Sequence, residues 1–75
     1  MKRRWMVTLH APTGGGIALE DVCAAAPTRA LHEAERMARA VLRDAAPEVG
    51  WTVTVDDGAG EQEGMPIEPR PVFDG

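Results

Sequence analysis

Serine, asparagine and tyrosine are absent from this chain, and lysine and cysteine occur once each, as Lys2 and Cys23. Each scarcity excludes something. Most of the usual nucleophiles and proton carriers of enzyme catalysis are missing. A lone thiol cannot cross-link a small domain, so packing must hold the fold together, and such a chain suits a reducing cytoplasm. No apolar run approaches the ~18 residues of a membrane helix. The cationic opening "MKRRWMVTLH" alternates too regularly to be a secretory leader. Bulky apolar residues are also few. Hydrophobic positions make up 44% of the 75 residues, but twelve of them are alanine. A chain of this length implies one domain with one thin core, because only ~60% of the unfolded surface is buried at such a size.

What is present is patterned. In "WMVTLH", Trp5, Val7 and Leu9 fall on one face, as in a half-buried strand. Trp51, Val53 and Val55 repeat that alternation in "WTVTVD". Between them, "IALEDVCA" starts in phase with Ile17 and Leu19 and then slips, so that Val22 points inward. A bulge near Glu20 and Asp21 would repair the phase, and a short helix is the rival reading. Thr28 is placed to cap a helix over "RALHEAERMARAVLRDAA". Its apolar stripe is Leu31, Ala34, Met37, Ala38, Val41, Leu42 and Ala45, with Pro47 as its stop.

The expected fold is therefore α+β: a two-layer ββαβ domain over residues 1–58. A three-stranded antiparallel or mixed sheet carries one helix on one face. The first strand lies in the middle, and Thr8, His10, Thr52 and Thr54 line the uncovered face. Residues 59–75 read as an acidic, proline-containing C-terminal tail.

The triple glycine Gly14–Gly16 invites a phosphate-loop reading. That loop needs a helix directly after it and a lysine at a fixed spacing, and neither is present. The glycines are read instead as a hairpin turn with positive φ angles. "HEAER" has the first histidine of a zinc-protease helix, but Arg36 stands where the second should be. His32 then reads as a solvated helix residue and Cys23 as a small buried filler. No catalytic set, metal site or cofactor site is expected, and the chain is not expected to be an enzyme.

Charge is segregated on this chain of net charge −4. Arg29, His32, Arg36, Arg39 and Arg43 recur at helical spacing as one basic ridge, which could track phosphates as a weak nucleic-acid module. Asp56, Asp57, Glu61 and Glu63, with Glu20 and Asp21 earlier, could present phosphate-like charge to a basic partner.

The short chain, the strand "WMVTLH", the glycine hairpin, the helix "ALHEAERMARAVL", the strand "WTVTV" and the acidic end together resemble small phage-encoded anti-CRISPR inhibitors. That resemblance is architectural and rests on no signature motif. It implies a non-catalytic protein in the cytoplasm of a bacterial host that binds a CRISPR effector complex and blocks target DNA. The contact residues would be Glu20, Asp21, Asp56, Asp57, Glu61 and Glu63. Neither a membrane nor a small-molecule substrate is implied. A homodimer joined across the threonine face or through the tail is the further alternative.

Overall fold

The computed structural model describes residues 1–42 and 49–68. The elements run β1 (Arg3–His10), β2 (Gly16–Ala18), β3 (Val22–Ala24), α1 (Pro27–Leu42), β4 (Thr52–Asp56) and β5 (Gln62–Pro66). The class is α+β, with one helix against an antiparallel sheet of five strands. The expected three-stranded sheet and ββαβ order are corrected at two places, each with a local cause.

The first correction is a split strand. Thr8 pairs with Ala18 and Trp5 pairs with Val22, so Met6 and Val7 on β1 face three residues, Leu19 to Asp21. This one-residue excess is the bulge that the phase slip required. It divides the expected second strand into β2 and β3, both antiparallel to β1. The Leu19 amide, donating to the Val7 carbonyl at 2.9 Å, holds the bulge in place.

The second correction is β5, which pairs antiparallel with β4 from Thr52↔Pro66 to Asp56↔Gln62. The domain boundary expected at residue 58 thus falls in the β4–β5 turn. Pro66 stands on an edge strand, where its missing N–H costs no ladder bond on the open side. Glu61 and Glu63 add charge to that edge and discourage pairing with another sheet.

β1 lies between the β2/β3 side and β4, as the alternation implies. Trp5, Val7 and Leu9 are buried with Val53 and Val55 beneath the helix. The helix contributes Ala30, Ala34, Ala38 and Leu42, spaced four apart. The fully buried part of this stripe is narrower than expected: the small alanines let the backbone sit close to the sheet, while Leu31 and Met37 pack against the core from its margins. Met37 is only partly buried and Val41 is exposed. Ile17 shares the helix-side face with its partner Leu9 but is exposed, because α1 packs on β1, β3, β4 and β5 and not on β2. Ile67, just past β5, is buried in its place.

Local chemistry sets the ends of these elements. The helix starts at Pro27 rather than after Thr28, with the Ala30 amide donating to the Ala26 carbonyl. Proline suits the first helical position because its missing donor would have no partner there. The expected helix end at Pro47 and the stripe residue Ala45 lie outside the described residues. In the β1–β2 hairpin, Ala11 donates to the Gly15 carbonyl and Gly14 donates to the Ala11 carbonyl. Only Gly14 of the three glycines takes a positive φ, at 102°; Gly16 is already strand. At Gly50, with φ 109°, an added Cβ would lie 2.9 Å from the Pro12 Cβ, so the chain passes this hairpin only as glycine.

Candidate binding surfaces

The acidic residues fall into two groups. Asp56 and Asp57 build the β4–β5 turn. Asp56 Oδ1 accepts the Gly58 amide at 2.7 Å, and Asp57 Oδ1 accepts the amides of Ala59 and Glu61 at 2.8 and 3.1 Å. The Gln62 side-chain amide donates to Asp56 Oδ2 at 3.2 Å. Asp57 is also the anchor for Arg3, whose Nη1 reaches Asp57 Oδ2 at 2.7 Å and Glu61 Oε1 at 3.1 Å. The Arg3 guanidinium lies 4.7 Å from the centre of the Trp5 ring, a cation–π geometry. The Trp5 indole donates in turn to the Ala24 carbonyl at 3.0 Å. Two carboxylates of the presumed acidic patch are thus committed to holding the N-terminal strand against the hairpin. The side chain of Asp57 is only 4% exposed.

The Ala59 amide is the main reason the Asp57 carboxyl titrates below its ordinary value. Burial opposes the shift, while the Glu61 amide and the Arg3 charge reinforce it. A carboxyl with a lowered folded pKa stabilises the native state above its unfolded value of ~3.9 and loses that contribution as pH falls through the folded value. Asp57→Asn should therefore be less stable than the parent at neutral pH, and the gap should close below pH ~4. Urea unfolding of both proteins at several pH values checks this. A gap that stays constant with pH would remove the carboxylate from the account.

Glu63 lies opposite Val55 on the edge strand β5 and is exposed. Glu20 and Asp21 sit in the bulge on the other side of β1, where Asp21 approaches Arg4 at 3.8 Å. β1 separates these residues from Asp56 at the end of β4, and β1 and β4 together separate them from Glu63 on β5, so the six carboxylates are split across the sheet.

The arginine ridge is divided in the same way. Arg39 turns toward β5, with Nε and Nη2 donating to Glu35 Oε2 and Nη1 donating to the Glu68 carbonyl at 2.9 Å. Arg36 lies 3.5 Å from Glu33. Arg43 lies outside the described residues. Arg29 and His32 instead flank a groove of about 700 Å³ between the helix and β3, to which Lys2 also contributes. Lys2 joins them because β1 begins beside the end of β3, with Arg3 opposite Ala24. No local sequence signal could place Lys2 there.

The face of the sheet away from the helix carries Met6, Thr8 and His10 of β1, Ala18 of β2, and Thr52 and Thr54 of β4. Their strand neighbours Val7, Leu9 and Val53 point into the core. His10 Nε2 lies 3.0 Å from Thr54 Oγ1. No described element lies across this face. Cys23 is exposed, which corrects its expected burial: Val22 and Ala24 on either side take the inward positions. Among the described residues no cluster of three or more His, Cys, Asp or Glu is arranged to hold a metal ion, and no helix is long and apolar enough to cross a membrane. Comparison with known proteins finds no matching family model, no matching curated protein and no matching solved structure.

Proposed function

We propose that this protein acts without catalysis, by binding another protein, and that the sheet face opposite the helix is its main contact surface. The observation carrying this reading is the one-sided construction of the fold. The helix serves a single face, while the other spans β1, β2, β4 and β5 and carries mostly short side chains around Met6, which is 51% exposed. Flat surfaces with short side chains let a partner approach closely and lose little side-chain entropy on binding. The only ring described on this face is that of His10, which lies against Thr54, and no Trp, Phe or Tyr joins it as a platform for exposed bases, so it suits protein better than single-stranded nucleic acid.

The inhibitor reading follows from the resemblance to anti-CRISPR proteins and makes a CRISPR effector complex the partner to test. Guide-loaded effector complexes should lose target-DNA binding when this protein is added. The double variant Thr8→Arg/Thr54→Arg should weaken that inhibition at least ~tenfold, as expected for charge placed at the centre of an interface. Arg29→Glu, away from the face, should retain it. Absence of inhibition across a panel of effectors would remove the inhibitor reading. Inhibition unchanged in the double variant would remove the sheet face. A dimer in sedimentation that the double variant dissociates would reassign the face to self-association.

A further inference from the structure

Among the described residues β3 has β1 as its only strand neighbour, so alternate backbone N–H and C=O groups along its outer edge have no strand partner there. The groove of about 700 Å³ runs along that edge. One wall is formed by β3 with Ala25 and Ala26 after it; the carbonyls of Ala24, Ala25 and Ala26 already accept from the Trp5 indole, Arg3 and the Ala30 amide, so an added strand would pair through Cys23 and the alanine amides. The other wall is the first two turns of α1, with Arg29 and His32.

The charge of this groove runs against that of the molecule. In a chain of net charge −4, Lys2, Arg29 and His32 line one cavity with Glu33 as its only acid. The Glu33 carboxylate is already 3.5 Å from Arg36. Arg29 also sits in the first turn of a helix that carries no acidic residue there. The helix dipole disfavours a cation at that end, and Lys2 and Arg29 against the single carboxylate of Glu33 leave the groove net positive.

We infer that this groove binds an extended acidic segment of another protein, which adds to the edge of β3 as a short strand and sets its carboxylates against Lys2 and Arg29. The inference rests on the reading of the chain as a protein-binding module but uses a different surface from the sheet face. Backbone pairing supplies the alignment and the cations supply the selectivity, as in strand addition generally. Nucleic acid fits less well. The groove has no Trp, Phe or Tyr for base stacking and only the single ring of His32, and the other described arginines of α1, Arg36 and Arg39, are held by Glu33 and Glu35.

The test is a titration of the full ¹⁵N-labelled chain with an acetylated octapeptide that alternates Asp or Glu with Val. Amide shifts should be confined to residues 22–26 and 29–33. Arg29→Glu should weaken binding ~tenfold, as reversal of a contacting charge does, while Glu63→Lys, on the opposite edge of the sheet, should leave it within about twofold. Arg29 and Glu63 are both exposed, so circular dichroism should show each variant folded. A peptide N-methylated at alternate residues should also lose ~tenfold, because it cannot pair with an edge strand. Undiminished binding of that peptide would overturn strand addition, and equal binding of a Lys/Val peptide would overturn charge selection. Pyrophosphate or oligothymidylate producing the same shifts at the same concentration would reassign the groove to phosphate. Shifts on Thr8, Thr52 and Thr54 instead would remove the groove and leave the sheet-face reading standing.

Discussion

Trp5→Ala should abolish cooperative folding or bring the protein close to that point. Trp5 is fully buried and is the largest side chain in the core. Truncating a buried tryptophan to alanine costs ~3–5 kcal/mol. A chain of 75 residues has a total stability on the order of 4–11 kcal/mol, at ~0.05–0.15 kcal/mol per residue. The same change removes the ring beneath the Arg3 guanidinium and the donor that satisfies the Ala24 carbonyl. Trp5→Phe separates the two effects: it keeps most of the apolar volume but strands that carbonyl, at about 1–3 kcal/mol. Urea unfolding followed by circular dichroism measures both variants. A Trp5→Ala protein that unfolds at nearly the parental midpoint would show that the core is centred elsewhere.

Ile67→Ala is expected to cost ~2–5 kcal/mol, the range for a buried isoleucine whose site cannot collapse. Ile67 is 2% exposed, and its amide donates to the Trp51 carbonyl at 2.8 Å. It therefore ties the segment after β5 to the start of β4 and fills the core at the sheet edge. Pro66→Ala, one residue earlier and exposed, should change stability by no more than ~0.5 kcal/mol. Chemical denaturation of the two variants side by side makes the comparison. Similar small losses at both positions would mean that residues 62–67 contribute little to folding.

These two residues mark how far the sequence could be read. Trp5 was legible because alternation over Trp5, Val7 and Leu9 is a local signal that burial on one face imposes directly. The bulge was legible for the same reason, since a slip of phase between Leu19 and Val22 has few physical remedies. Ile67 was legible only as one of two readings. Met65 and Ile67 offer an apolar grip at a spacing of two, but among glycine, acid and proline so short an alternation does not separate a docked strand from a frayed tail. The strand exists because β4 has a second edge to satisfy, which is a property of the sheet and not of the segment. Asp57 failed for a related reason. Its partner Arg3 lies 54 residues away, so a run of acids that reads as free surface charge is half used up in turns and an ion pair. The arginine ridge likewise looked continuous on a helical wheel, and only the position of Glu68 on one side and Lys2 on the other divides it.

The strand made first, β1, occupies the middle of the sheet, yet its partner β4 is made late; Met6 must wait for Asp56, fifty positions further on. The pairing at the centre of the sheet is therefore its least local one, while β1–β2 and β4–β5 are hairpins. Such a topology implies slow folding for so small a protein. On a ribosome, β1 with β2 and β3 could pair early, but its other edge would stay open to a wrong partner until β4 emerged some fifty positions later.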